Sequence, residues 1–319
     1  MDRISLDERY VDLGVKCIDQ DDPDKAIRYL NRAISLNPNS YLAFYNRGIA
    51  QDMLERTDDA LADFERALSI VPNHLASLHN RGVALRELGR PKEAIECFEQ
   101  VLRYNPDSED VLYNRGVALA DLGHLVEAIE QYDHAIRQAP WKLDARIAKG
   151  NVLLEAGRLQ EARLVANEIL EIQPSSVDAH IIKGLAHLDG HEPGEALIDF
   201  SRALETSPDD HVALLHRGIA YLRLDRNQDS VRDLTLALKN HPDCDETFYH
   251  LAVAHAKLGD REAALDALQA AIEINPPRRA EAQTAVEFIP LRAEPRFRAV
   301  LSLQARMRQD PGQHKGPPS

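Results

Sequence analysis

Thirteen histidines and three cysteines are the side chains whose types could bind a metal or act as nucleophiles. His187 and His191 stand i, i+4, a spacing that puts two imidazoles on one helix face, but no H-E-x-x-H accompanies them. His216 and His250 are the best remaining pair. They occupy equivalent positions of a repeating pattern described below, and two ligands with no third make a poor site. Cys17, Cys97 and Cys244 are too scattered for a C-x-x-C site or a disulfide framework, and Cys17 and Cys97 read as small core hydrophobes. Carboxylate pairs abound, yet on solvated helix faces nothing would shift their pKa. The G-x-S-x-G, P-loop and G-x-G-x-x-G spacings do not occur. The residues therefore predict no catalytic site, no metal and no cofactor. The chain does not read as an enzyme.

A different chemistry recurs in register. Asn46, Asn80 and Asn114 are evenly spaced, and an asparagine amide offers the donor and acceptor that match a peptide bond. Three such amides on one surface form a ladder that can grip an extended main chain without regard to its sequence. The alternative is a polar residue tolerated on a solvated face. The residues just before them are Tyr45, His79 and Tyr113, followed at the same spacing by Ile147, Ile181, Leu215 and Tyr249. This apolar and aromatic row is an anchor for a partner peptide or an amphipathic helix.

The elements that must position these side chains follow from a strict period. Prolines fall at Pro38, Pro72, Pro106, Pro140, Pro174, Pro208, Pro242 and Pro276, with one constant step between neighbours. Gly14, Gly48, Gly82, Gly116, Gly150, Gly184 and Gly218 run in phase, as do Ala26, Ala60, Ala94, Ala128, Ala162 and Ala196. Each unit reads as two helices. Leu78, Gly82, Leu85 and Leu88 share one face, Gly89-Arg90-Pro91 breaks the pattern, and Ala94, Phe98, Val101 and Leu102 resume it. A glycine inside a helix costs about 1 kcal/mol relative to alanine, so seven in register imply close helix approach. The small alanine of the second helix is the expected neighbour, with pairs such as Phe44/Phe64 and Leu78/Phe98 filling the space between hairpins.

Gly at the eighth place, Ala at the twentieth, a bulky residue at the twenty-fourth and Pro at the thirty-second resemble the tetratricopeptide repeat (TPR). The resemblance implies an all-α, right-handed α-solenoid whose inner face is lined by the first helix of each unit. Eight units span 7–278, at 7–40, 41–74, 75–108, 109–142, 143–176, 177–210, 211–244 and 245–278, which is 8 × 34 = 272 of 319 residues. An N-terminal cap (1–6), capping helices (279–308) and a flexible tail (309–319) complete the expectation. Ser5 to Glu8 has the spacing of a capping box. Arg278 to Phe288 reads as a ninth first-type helix, Pro290 and Pro295 flank a turn, and Arg296 to Met307 is a last helix covering the apolar end. The segment 288–297 is similar to those closing other bacterial TPR arrays. Unit five departs from the pattern, with Arg146 at the fourth place and Ala166 at the twenty-fourth, which predicts looser packing. The asparagine row resembles the ladder of the TPR superhelix in O-GlcNAc transferase. A chaperone carboxylate clamp is not expected, because Ala76 and Asn80 stand where its basic pair belongs.

Charge narrows the partners. There are 38 Lys+Arg against 52 Asp+Glu, a net of −14, which argues against nucleic acid. No apolar run approaches the roughly 20 residues of a membrane span, and no signal-peptide pattern opens the chain, so a cytoplasmic location is expected. The thirteenth place is acidic at Asp19, Glu87, Asp121, Glu155 and Asp189 before turning basic at Arg223 and Lys257. An acidic rim of Glu87, Asp121, Glu155 and Asp189 suits a basic partner, or is simply a solvated face. Trp141, the one tryptophan, is expected to fold back over neighbouring helix ends. The function that follows is a non-catalytic scaffold or adaptor. The alternatives are a self-associating structural protein and a substrate-recognition partner of a separate enzyme.

Overall fold

Every unit of the repeat turns its chain at the fifteenth place, and that residue is left-handed throughout. Gly89, Gly123, Gly157 and Gly259 have φ of 72°, 75°, 68° and 80°, while Asp21, Glu55, His191 and Asp225 hold φ of 57°, 58°, 60° and 56°. A computed structural model describes residues 5–302, and there every regular element is helical. The helices are α1 (Leu6–Asp19), α2 (Pro23–Leu36), α3 (Tyr41–Asp52), α4 (Thr57–Ile70), α5 (Leu75–Glu87), α6 (Pro91–Tyr104), α7 (Glu109–Asp121), α8 (Leu125–Gln138), α9 (Asp144–Glu155), α10 (Leu159–Ile172), α11 (Val177–Asp189), α12 (Pro193–Thr206), α13 (His211–Arg223), α14 (Asn227–Asn240), α15 (Asp245–Leu258), α16 (Arg261–Ile274), α17 (Arg278–Thr284), a 3₁₀ turn (Val286–Leu291) and α18 (Pro295–Leu301). None of them is long and apolar enough to cross a membrane.

The chain divides into two compact units, one ending at Arg158 and one starting at Leu159. The division falls between α9 and α10, inside the fifth repeat. Within each unit, a second helix packs on the first helix before it and on the one after it, the stacking of an α-solenoid. The Ser5–Glu8 capping box is present, with Glu8 N–H donating to Ser5 Oγ and Ser5 N–H to Glu8 Oε2.

The glycine series has a different neighbour from the one expected. A Cβ on Gly82 would stand 2.6 Å from Phe98 Cε1, and one on Gly116 would stand 2.6 Å from Tyr132 Cε1. The bulky twenty-fourth residue, not the alanine, lies on the glycine of its own hairpin. Phe64, Phe98, Tyr132 and Phe200 are essentially fully buried there.

A further series, one that apolar spacing does not flag, ties the hairpins together. The seventh place is cationic in six consecutive repeats, at Arg47, Arg81, Arg115, Lys149, Lys183 and Arg217. Arg47 on α3 forks onto Asp63 of α4 at 2.8 and 2.6 Å and donates to Asn31 of α2 at 2.6 Å. Arg115 reaches Gln131 and Glu99 in the same way, and Arg217 reaches Asp233 and Ser201. One cation thus ties three successive helices.

The C-terminal cap differs from expectation. The ninth helix stops at Thr284, because Ala285 turns extended at φ −60° and ψ 131°. Pro290 sits inside the 3₁₀ turn rather than at a helix-flanking turn, and Pro295 starts α18. This break lets Phe288, Leu291, Phe297 and Val300 fold onto α15 and α16 as one buried cluster, hiding the apolar end as a terminal repeat requires. The expected helix to Met307 extends past the described residues, as do the tail 309–319 and residues 1–4.

Candidate functional site

In the unit ending at Arg158, the fifth- and sixth-place residues lie on α3, α5, α7 and α9, and their side chains, Ile147 included, are half-buried. The aromatic of each fifth place leans on the bulky residue of its own second helix. Ring centroids are 6.2 Å apart for Tyr45–Phe64, 6.0 Å for His79–Phe98 and 6.0 Å for Tyr113–Tyr132. Burial raises the Tyr45 and Tyr113 phenol pKa values, for Tyr113 with help from Asp144. Burial also lowers that of His79, keeping it neutral and able to accept a hydrogen bond.

The asparagines are not free amides. Asn114 Nδ2 lies 2.9 Å from His79 Nε2, and Asn80 hydrogen-bonds the Tyr45 phenol. Each therefore bridges to the fifth place of the preceding repeat. Asn46 donates to Leu42 O of its own helix at 2.7 Å. The ladder expected from sequence is thus cross-braced. Its members keep a second amide hydrogen and a carbonyl oxygen by their chemistry.

Between α7, α8 and α9 lies a small pocket whose lining includes Tyr113, Ala135, Ala139 and Ala145. Lys142 closes one side. Its Nζ lies 2.7 Å from Glu109 Oε1 and 2.9 Å from Asp110 Oδ1, contacts that hold its pKa above the usual lysine value. Arg146, the residue that breaks the fourth-place pattern, is buried and donates to Pro140 O at 2.6 Å, fixing this loop. Trp141 does not fold back. It is 72% exposed, because the loop carbonyls are held by Arg146 and leave the indole outside.

In the unit starting at Leu159, the row changes character. Ile181 is half-buried, but Leu215 is core, 4% exposed among Leu188, Phe200, Ile219 and Leu234. Burial among these apolar neighbours sheds water from the Leu215 side chain, so Leu215 does not offer the open surface that Ile147 and Ile181 keep. Tyr249 is half-buried, leaning edge-on against Phe288 of the C-terminal cap at 5.9 Å with the Arg278 guanidinium 5.3 Å from its ring. His216 and His250 are held neutral by burial, with pKa lowered to about 4.

The thirteenth place splits by charge. Glu87, Asp121 and Glu155 are exposed in the first unit and Asp189 in the second, and Asp121 pairs with Arg86 at 3.8 Å. Arg223 and Lys257 instead donate to Leu188 O and Leu222 O, carbonyls in the last turn of the preceding first helix, where cations are favoured.

One expectation about carboxylates fails. Asp199 is buried and its pKa is raised by that burial, against Lys183 at 3.7 Å, His187 at 3.6 Å and His180 at 3.8 Å. Asp63 and Asp233 are buried too. All three occupy the twenty-third place and anchor seventh-place cations. Among the described residues, no group of three or more His, Cys, Asp or Glu side chains could hold a metal ion.

Models of the tetratricopeptide repeat match the chain at 8–40, 40–107, 79–141, 119–186 and 215–279. Among solved structures, a tetratricopeptide repeat protein from Parabacteroides merdae is 19% identical over 78% of this chain and 98% of its own, with a TM-score of 0.65. PilW, described as a widely conserved type IV pilus biogenesis factor, is 19% identical over 66% and 97%, with a TM-score of 0.60. Residues 41 to the end of MamA from Desulfovibrio magneticus RS-1 are 22% identical over 55% and 99%, at 0.52. At such identities the likeness is one of fold. No curated protein matches the chain.

Proposed function

The chain belongs to the tetratricopeptide repeat family, and on that premise we propose that it is a non-catalytic scaffold whose first helices hold an extended segment of a protein partner. Proteins of this family generally mediate protein–protein interactions. We take 7–278 as its eight repeats.

The observation that carries this reading is the row Tyr45, His79 and Tyr113, half-open and braced through Asn80 and Asn114. Side chains fixed before binding lose less rotamer freedom when a partner arrives. Asn46, Asn80 and Asn114 offer their remaining amide hydrogens and carbonyl oxygens to a peptide main chain. The exposed acids Glu87, Asp121 and Glu155 favour a basic segment. Burial of Leu215 removes support for an amphipathic helix along the second unit.

Selection of displayed random peptides against the full chain, followed by titration calorimetry, tests the proposal. The selected peptide should bind at least about tenfold more weakly to the Asn46→Ala/Asn80→Ala/Asn114→Ala variant, about 1.4 kcal/mol, and also to Tyr113→Ala. Unchanged affinity in both variants would overturn it.

A further inference from the structure

Four charged side chains rim the pocket beside Tyr113, and they do not balance. Glu109, Asp110 and Asp144 face a single Lys142, a local charge of 1 − 3 = −2. Lys142 is engaged by Glu109 and Asp110, whereas Asp144 makes no hydrogen bond or ion pair with any described residue. Acids in the first turns of α7 and α9 complement the helix dipoles. That accounts for acids at these places in sequence, but not for an aromatic ring and three alanine methyls between them.

The pocket therefore combines an uncompensated carboxylate, an aromatic ring and an apolar floor. We infer that it takes the guanidinium of an arginine on the partner segment, with the methylenes over Ala135, Ala139 and Ala145 and the planar head between Asp144 and the Tyr113 ring. Arginine fits better than lysine, because its flat fork matches a carboxylate and stacks on an aromatic face, while an ammonium is a compact, strongly hydrated point charge. The inference rests on the groove reading above and names one side chain of the partner that reading requires.

The test uses the full chain with ¹³C-labelled alanine methyls and three probes: acetyl-Gly-Arg-Gly-amide, its citrulline counterpart of the same shape without charge, and its lysine counterpart. The arginine probe should shift the Ala135, Ala139 and Ala145 methyl resonances and saturate at a concentration about tenfold below the citrulline probe, with lysine between them. Asp144→Asn should raise the half-saturation about fivefold, while Asp107→Asn, an acid outside the pocket, should leave it unchanged. An unchanged far-UV circular dichroism melt checks that Asp144→Asn folds. Equal citrulline and arginine curves, or no arginine-induced shift of these methyls, would overturn the inference. A chain that yields a groove peptide but no arginine-dependent shift sinks this pocket alone. One that yields no groove peptide sinks the reading beneath it.

Discussion

Phe64 lies directly on Gly48: a Cβ added to that glycine would stand 2.6 Å from Phe64 Cε1 and 2.8 Å from Cδ1. The same relation joins Gly14 to Leu30, Gly184 to Phe200 and Gly218 to Leu234. The hairpin closes on a side chain in the place where a methyl group would otherwise be, and the proposed binding row depends on that closure because Phe64, Phe98 and Tyr132 support Tyr45, His79 and Tyr113.

Gly82→Ala should therefore destabilise the chain, although alanine is the better helix former. Overpacking costs about 1–3 kcal/mol against a gain of about 1 kcal/mol in propensity. A net loss of up to about 2 kcal/mol should lower the urea midpoint. Phe98→Leu in the same background should recover part of it. A raised midpoint for Gly82→Ala alone would refute the packing account.

The seventh-place cations should prove to be couplers of the stack. Asp63→Asn removes the negative charge and one of the two oxygens that accept from the Arg47 guanidinium, and a loss of about 1–3 kcal/mol is expected. A double-mutant cycle with Arg47→Met measures the coupling. Additive effects would show that the fork between α3 and α4 contributes nothing.

Glu55 and His191 occupy left-handed turns that glycine occupies in four other repeats. A side chain there costs about 1–2 kcal/mol, so Glu55→Gly and His191→Gly should each raise the thermal midpoint. No rise in either would mean that those backbones carry no strain.

Acid should weaken the second unit through two histidines. His216 and His250 titrate near about 4 when folded and near about 6.5 when unfolded. Between those values the unfolded chain binds more protons, so stability falls as pH drops from about 6.5 to about 4 and levels off below. His216→Gln/His250→Gln should flatten that part of the curve, read as the urea midpoint at about pH 7 and about pH 5. An unaltered slope would refute the assignment.

Trp141 should emit like free indole and be quenched readily by acrylamide, since 72% of its surface is exposed. A blue-shifted, shielded emission would place it over the helix ends instead.

Several features were legible in the residues because they depend on local rules repeated in register. The paired helices follow from apolar spacing, glycine, alanine and proline at fixed places. The Ser5 capping box needs only the identities of Ser5 and Glu8. The seventh-place cations were equally periodic, but their meaning depends on which side chain of the second helix comes to face them across the hairpin, and spacing along one helix does not reveal that. The ninth helix failed for a similar reason. Its residues can all be helical, and the chain breaks at Ala285 only because Phe288 gains more by folding beneath the last repeat.

By itself, the sequence determined the number of hairpins, the place of each turn, and which first-helix positions share a face. Those are consequences of backbone conformation and hydrophobic period, set within a few residues of each position. Only the tertiary structure decided that Leu215 is core while Tyr113 is half-open, that Asn80 and Asn114 brace their neighbours, and that Asp144 lines the same pocket as Tyr113. Each of these depends on distances between helices one repeat apart, where burial and hydrogen-bond geometry choose among side chains that periodicity treats as equals.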